Sequence, residues 1–150
     1  MGVLLALLVL PLLGGCGRTQ PLNFKAGEYR CEFCQMDIQD MRFKAEALSP
    51  KGKVHRFDSL ECLIAWSQKH PEEVGSRWVT PFYHPEKWVP LGKALILKAE
   101  RLSSPMGASL SAHESEKELQ EALQSFGGRP LSEKDLEDLI REQWRKEISP

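Results

Sequence analysis

Polar and apolar residues alternate over two short stretches, 42–48 and 53–57, that flank a Ser-Pro-Lys-Gly turn. A period of two is typical of strands with one buried face, and Pro and Gly supply the backbone that a tight turn needs. The pattern therefore predicts a β-hairpin. Asp58 stands three residues before Glu61, as in a capping box, which predicts a helix from about residue 59 to 69. The apolar residues that this helix would bury are Leu60, Leu63, Ile64 and Trp66.

A second series of strand patterns follows. Residues 77–83 are predicted to form an edge strand, because Pro81 has no N–H group to donate to a neighbouring strand. Residues 93–99 are the most strand-like stretch after the hairpin. Residues 108–113 alternate weakly and are predicted to return as their partner. The second half of the chain thus repeats the strand pair that precedes the first helix.

Two further helices are predicted by capping residues and apolar spacing. Ser115 and Glu118 form a second capping box, and Gly127-Gly128 supplies a C-terminal stop. Between them, apolar residues recur at i, i+3, i+4 and i+7, as on one face of a helix: Leu119, Ala122, Leu123 and Phe126. Ser132 begins a third helix with a single apolar face.

These elements predict an α+β fold. It consists of two small ββα(β) units, at about 30–76 and 77–131, which form a pseudo-duplicated pair. An extra C-terminal helix covers residues 132–147. The chain has 150 residues, enough for one domain with a buried core that needs no disulfides. Its formal net charge of −1 provides no basic field for nucleic acid.

The N-terminal residues predict export. Residues 3–13 are apolar and uncharged, but a bilayer span needs about 20 such residues. The run ends in Leu-Gly-Gly-Cys, which resembles a bacterial lipobox, although no Lys or Arg precedes it. We expect a signal peptide at 1–15, acylation of Cys16, a tether at 16–29 and a folded domain at 30–150. The protein would be anchored by lipid to the cell membrane or outer membrane, facing the periplasm or the cell exterior.

The sulfur-rich run Cys31-x-x-Cys34-x-Met36 carries the main chemical signal. Two thiols at this spacing can converge on one metal ion or close a disulfide. A thioether two residues later favours Cu(I), because soft donors suit a soft cation. The run does not begin a helix in a βαβ pattern, as a thioredoxin-like pair would. A zinc site would need two more ligands at regular spacing, of which the sequence offers only Cys62 and scattered His residues.

Three other residues could serve as ligands by their chemistry. Met106 lies in a Pro-Met-Gly turn rather than on an apolar helix face, so it is a candidate ligand. His113 is the strongest candidate among the four His residues, because it shares the second unit with Met106. Cys62 lies on the first predicted helix and is interpreted as a buried, hydrophobic residue. If the two units pack about a pseudo-twofold axis, the Cys34 and Met106 loops would face one cleft.

The ordered set of motifs resembles the NosL family, the accessory lipoproteins of nitrous-oxide reductase. The resemblance covers about residues 30–136 and includes the sulfur run, Phe57-Asp58, the Ser-Pro-Met-Gly loop and Gly127-Gly128. It implies a pair of ββαβ-type units, similar in topology to part of the organomercurial lyases. Gln35 stands where the family often has Gly, Ser104 where Thr is usual, and the C-terminal helix extends beyond the matched region.

The resemblance also implies a function. It implies a Cu(I)-binding lipoprotein that delivers copper to nitrous-oxide reductase and works with a membrane transporter complex. Cys34, Met36 and Met106 match the family's motifs by position. We interpret these three residues as the Cu(I) ligands, with Cys31 or His113 assisting. Our interpretation is therefore a copper chaperone and not an enzyme. The alternatives are a thiol-disulfide exchange protein that uses Cys31 and Cys34, and an anchored binding module in which these residues form a structural disulfide.

Overall fold

A computed structural model describes residues 18–148. The predicted signal peptide and Cys16 lie outside the described residues. The chain forms seven strands and four α-helices within this range, with short 3-10 turns at Pro71–Glu73 and Leu91–Lys93. In chain order the elements are β1 Ala45–Leu48, β2 Val54–Phe57, α1 Leu60–Lys69, β3 Ser76–Val79, β4 Val89–Pro90, β5 Leu95–Lys98, β6 Leu110–His113, α2 Glu116–Phe126, β7 Arg129–Leu131, α3 Glu133–Gln143 and α4 Arg145–Ile148.

The two predicted units are present as two antiparallel sheets. The first has strand order β2-β1-β3-β4 and the second has β6-β5-β7. In both units the first strand lies in the centre, pairs with the second strand through a hairpin, and pairs with the third after a helix. This repeated ββαβ topology confirms the predicted α+β fold of two small units with an extra C-terminal helix.

The hairpin is confirmed, but the strand predicted at 77–83 is placed differently. That strand ends at Val79, before Pro81, and it lies between β1 and β4 rather than at the sheet edge. The proline therefore marks the end of a strand instead of an unpaired edge. Because β1 is central, all four of its residues are buried. Glu46 is among them and forms an ion pair with Arg56 of the neighbouring strand, at 3.1 Å.

The N-cap of helix α1 lies one residue later than predicted. The N-cap residue is Ser59, whose hydroxyl accepts a hydrogen bond from the Cys62 backbone N–H at 3.3 Å. Neither Asp58 nor Glu61 therefore serves as a cap. The hydroxyl of Ser115 caps α2 in the same way. Two buried carboxyl groups at the start of α1 are thus left for other contacts.

The C-terminal helix is broken into two. Helix α3 begins with a complete capping box at Ser132, ends at Gln143 with Trp144 as its C-cap residue, and is followed by the short α4. Leu136 and Ile140 of α3 are buried in the main core, and both helices pack against α1. This packing places Trp144 in the wall of a cleft that Cys34 of the sulfur-rich run also lines.

Residues just before the sulfur run contact the folded body. The Leu22 N–H donates to Glu46 at 3.2 Å, and the guanidinium of Arg56 lies 4.0 Å from the ring centre of Tyr29. These contacts fall within the stretch predicted as a tether. The predicted boundaries of tether and domain remain predictions. Within residues 18–148, none of the helices is both long enough and apolar enough to cross a membrane.

Candidate metal centre

Three thiols and one carboxylate converge where the sulfur-rich loop meets the start of α1. The sulfur atoms of Cys31, Cys34 and Cys62 and a carboxylate oxygen of Asp58 all lie within 4.8 Å of one another. All three cysteines in the described part of the chain are free thiols. Four groups at this separation can bind one ion, and thiolate ligands select soft or borderline metals such as Cu(I) and Zn²⁺.

The sulfur-rich loop is a tight turn. The Cys31 N–H donates to the Met36 carbonyl at 2.8 Å, and the Gln35 N–H donates to the Cys31 carbonyl at 3.0 Å. Gln35 has φ of 64°, a left-handed conformation that glycine adopts without strain. This explains why a glycine suits the position. The Arg30 guanidinium donates to the Gln35 carbonyl at 2.9 Å and stabilises the strained turn.

The other two groups come from the junction of β2 and α1. Asp58 directly follows β2, and Cys62 lies in the first turn of the helix. Both side chains point toward the loop, since a carboxylate oxygen of Asp58 and the sulfur of Cys62 lie within 4.8 Å of the Cys31 and Cys34 sulfur atoms. The loop is attached to the same strand, since the Glu32 N–H donates to the Arg56 carbonyl at 2.9 Å. Local backbone bonds thus hold the cysteine pair beside the helix.

The three thiols differ in their acidity. A hydrogen bond from Cys62 lowers the pKa of Cys31 to about 7, while this bond and burial raise the pKa of Cys62. Burial raises the pKa of Cys34 to about 12. Cys31 is therefore the thiol that ionises most readily. Since thiolates are the metal ligands, binding at neutral pH must release protons, chiefly from Cys34 and Cys62.

Asp58 has one carboxylate oxygen that could bind a cation. One of its carboxylate oxygens, Oδ2, accepts a bond from the Cys34 thiol at 3.3 Å. The other, Oδ1, is buried and has no hydrogen-bond partner among the described residues. A buried carboxylate oxygen without a partner is costly unless a cation or another donor compensates it. The four-group cluster therefore fits a bound metal ion.

Cys34 opens onto a cleft that reaches the second unit. The cleft has a volume of about 480 Å³ and is lined by Cys34, Met106, His70 and two tryptophans, Trp66 and Trp144. Cys31 and Cys62, by contrast, are fully buried. One thiol of the cluster thus faces a cleft that also contains a thioether, as expected if the two units face each other.

The comparisons with known proteins bear on the family and the fold. The family model of NosL matches residues 21–140 of the sequence. The chain belongs to the NosL family. The crystal structure of the copper chaperone NosL from Shewanella denitrificans has the same fold, with a TM-score of 0.65 and 16% sequence identity. The match covers 77% of this chain and 94% of that chain. No curated protein matches the sequence.

Two sequence-predicted ligands of this NosL family member lie apart from the thiol cluster. Met36 is 54% exposed and lines a shallow surface depression with Arg30 and Asp37 instead of the Cys34 cleft. His113 is buried at the end of β6, with its Nε2 atom 2.9 Å from the Ser111 hydroxyl and its ring 5.9 Å from that of Tyr83. The structure thus brings Cys31 and Cys34 together in the thiol cluster and places Met106 in the cleft that Cys34 also lines, whereas Met36 and His113 do not line that cleft.

The sequence reasoning missed Cys62 and Asp58. It interprets Cys62 as a core residue and Asp58 as a helix cap, and each interpretation fits its local pattern. The signal available is their closeness in sequence, since Asp58 directly precedes the N-cap residue of α1 and Cys62 lies in the first turn of that helix. Nothing in the sequence, however, places these two residues against the distant Cys-x-x-Cys.

Two other groups of candidate ligands offer only nitrogen and oxygen donors. They are His70 with Glu72 and Glu73, and His84 with Glu114 and Glu118. Three of their four carboxylates, those of Glu73, Glu114 and Glu118, already take part in ion pairs. Among the described residues, the thiol cluster is thus the candidate site with soft donors.

Because His113 is buried, we expect the fold to lose stability in acid. Burial lowers its pKa from 6.5 to about 4, so the unfolded chain binds a proton in this range that the folded chain does not. Stability should therefore fall as the pH drops from about 6.5 to 4, by roughly 2–3 kcal/mol. Urea unfolding of the wild type and of His113→Gln at pH 7 and pH 4.5 measures this contribution.

The expected result is a smaller loss of stability at pH 4.5 in His113→Gln than in the wild type. His84→Gln is the matched control, because the His84 side chain is 43% exposed. The same pH dependence in wild type and His113→Gln would show that the burial of this imidazole does not control acid stability.

Proposed function

We propose that this protein is a copper chaperone that binds Cu(I) at the thiol cluster and passes it to a copper enzyme. One observation carries the proposal: three thiols and an unpartnered buried carboxylate oxygen converge on one point, and one of the thiols opens onto a cleft. The shared fold with NosL from Shewanella denitrificans, a copper chaperone, supports the same function.

The choice of Cu(I) rests on the donor set. Cys31, Cys34 and Cys62 offer three thiolates, and Met106 adds a thioether in the same cleft as Cys34. Thiolate and thioether ligands together select Cu(I), a soft ion.

Structural zinc is the second candidate, since the structure supplies the two ligands that the sequence seemed to lack. Cys62 and Asp58 complete four groups around one point, the number that tetrahedral zinc requires. Structural zinc sites are closed, however, whereas Cys34 here opens onto a cleft that contains Met106. An open edge with a thioether is better suited to an ion that must leave.

Release follows from the graded burial of the ligands. Cys31 and Cys62 are fully buried, Cys34 is partly exposed, and Met106 is partly buried across the same cleft. An incoming ligand from a partner protein would reach the ion from the side of Cys34 and Met106. Copper would then be transferred ligand by ligand, with the buried pair released last.

Thiol-disulfide exchange is disfavoured by the same arrangement. Such proteins need an accessible cysteine with a low pKa. Here Cys31 has the low pKa, about 7, but it is fully buried. The accessible residue, Cys34, has a raised pKa of about 12. The thiol that could be reached is thus the less reactive of the two, which favours metal binding over exchange catalysis.

The cellular setting belongs to the same proposal. The lipobox-like sequence supports acylation of Cys16, a lipid anchor, and an extracytoplasmic location at the cell membrane or outer membrane. Membership of the NosL family supports nitrous-oxide reductase as the recipient, together with its membrane transporter complex. Mass spectrometry of the membrane-bound protein tests the acylation, and transfer of copper to the copper-free reductase tests the recipient.

The central experiment measures metal preference. A reduced form that begins at Gly17 lacks the Cys16 thiol and is titrated anaerobically with Cu(I) against a competing chelator, then with Zn²⁺. Tight one-to-one Cu(I) binding and a sulfur-rich shell in copper-edge X-ray absorption are expected. Tighter binding of Zn²⁺ in a closed four-ligand shell would instead establish structural zinc, and binding of neither ion would reject the metal site.

The cleft geometry predicts unequal roles for two methionines. Met106→Ala should weaken Cu(I) binding about tenfold, the lower end of the effect of altering a metal's surroundings. Met36→Ala should change the affinity less than about twofold, because its side chain is 54% exposed and lies outside the cleft. The same competition titration measures both variants. A larger effect for Met36→Ala than for Met106→Ala would contradict the cleft-side geometry.

A further inference from the structure

Glu61 is a buried carboxyl group that the thiol cluster does not use. It is adjacent to Cys62 on α1 and is only 1% exposed. Its Oε1 atom accepts a hydrogen bond from the Ser104 hydroxyl, and its Oε2 atom has no partner among the described residues. Burying a carboxyl group with so little compensation is costly. The hydrogen bond with Ser104 is therefore the feature of Glu61 that needs a functional explanation.

Ser104 organises the loop that carries Met106. Its hydroxyl donates to Glu61 and also accepts a hydrogen bond from the Ser109 N–H at 2.9 Å. Its carbonyl accepts from the Gly107 N–H at 3.0 Å and closes the turn around Met106. A single residue, through its hydroxyl and its backbone carbonyl, thus holds the turn and fastens it to α1.

The first turn of α1 therefore reaches both halves of the site. Cys62 points toward the sulfur-rich loop of the first unit, and Glu61 points toward the Met106 loop of the second. Successive residues on a helix project about 100° apart, so neighbouring positions can serve two different surfaces. The bond from Ser104 to Glu61 crosses 43 positions of sequence and joins the two units beside the cleft.

We infer that Glu61, acting through Ser104, is a positioning residue that holds the Met106 thioether against the Cys34 cleft. This inference rests on the proposed Cu(I) function. Glu61 does not contact the ion; its effect on affinity passes through the place of Met106. The interaction also gives Ser104 a reason to carry a hydroxyl, which a threonine at this position would retain.

A double-mutant cycle tests the inference, with the protein expressed from its full sequence and purified in detergent. Ser104→Ala should weaken Cu(I) binding about tenfold when Met106 is present, but less than about twofold in a Met106→Ala background. Ser104→Thr should retain the wild-type affinity. Ser103→Ala is the matched control, because Ser103 is an exposed neighbour in the same loop. Glu61→Gln, which keeps an acceptor, should behave more like the wild type than Ser104→Ala.

A second readout does not depend on copper. In the metal-free protein, Ser104→Ala should speed amide hydrogen exchange at Gly107 and Ser109, whereas Ser103→Ala should not. Two results would overturn the positioning role. One is an unchanged rate of amide hydrogen exchange in Ser104→Ala, and the other is an equal loss of Cu(I) affinity on Ser104→Ala with and without Met106. Faster exchange together with no Cu(I) binding by the wild type would instead reject the copper function while leaving the loop attachment intact.

Discussion

Replacing Cys62 with alanine should weaken Cu(I) binding at least about 100-fold, since losing even an outer-shell partner typically costs roughly 10- to 100-fold. The sulfur of Cys62 lies within 4.8 Å of those of Cys31 and Cys34, and the residue is fully buried. Its loss would leave a two-thiol site and would remove the hydrogen bond that lowers the pKa of Cys31. Anaerobic chelator competition measures the affinity, and X-ray absorption counts the sulfur ligands.

The control for Cys62→Ala is a buried polar residue on the same helix. Ser67→Ala alters α1 at a 7%-exposed position outside the cluster and should leave the affinity within about twofold. The thermal unfolding of the metal-free variants shows whether each still folds. Wild-type affinity in Cys62→Ala, with the fold intact, would mean that Cys62 is a core residue, as its local sequence pattern predicts.

Replacing Gly128 with alanine should destabilise the fold by about 3–5 kcal/mol. This figure is the sum of two costs, the strain of a left-handed backbone and the overpacking of the added Cβ. Gly128 has φ of +96°, and an added Cβ would lie 2.1 Å from the Lys98 carbonyl oxygen and 2.7 Å from the Ala99 Cα. Both contacts are with backbone, which cannot rotate away. They lie at the end of β5, where β7 pairs. Urea unfolding of the metal-free protein measures the loss.

Gly107→Ala is the matched control for this strain. Gly107 also has positive φ, +76°, but no described atom lies within 4 Å of its added Cβ. It should therefore cost only the backbone strain, about 1–2 kcal/mol. The difference between the two variants isolates the steric overlap at Gly128. Equal losses of stability in the two variants would show that the close approach of β7 to β5 relaxes easily.

A loss of about 3–5 kcal/mol is a large share of typical domain stability, so Gly128→Ala is expected to accumulate poorly.

The sequence alone determined most of the local structure. The period-two alternation predicts the first hairpin, and the i, i+4 spacing predicts α2, because both patterns arise from the geometry of a single element. Pro81 predicts a sheet edge for the strand at 77–83, but the strand ends before the proline and lies inside the sheet. A local pattern does not reveal which strands lie on either side.

The sequence also identified the chemistry of the site but not which residues form it. Three sulfurs in six residues, with Met106 in a separate turn, indicate a soft metal, because ligand type depends on the residues themselves. Which sulfurs meet was decided by tertiary structure. The packing of α1 against the loop brings Cys62 to Cys31 and Cys34, and the pairing of the two units brings Met106 to the cleft. Met36, two residues from Cys34, points to solvent because the turn at Gln35 reverses the chain. Contacts between residues far apart in the sequence depend on how elements pack, which no local pattern of residues specifies.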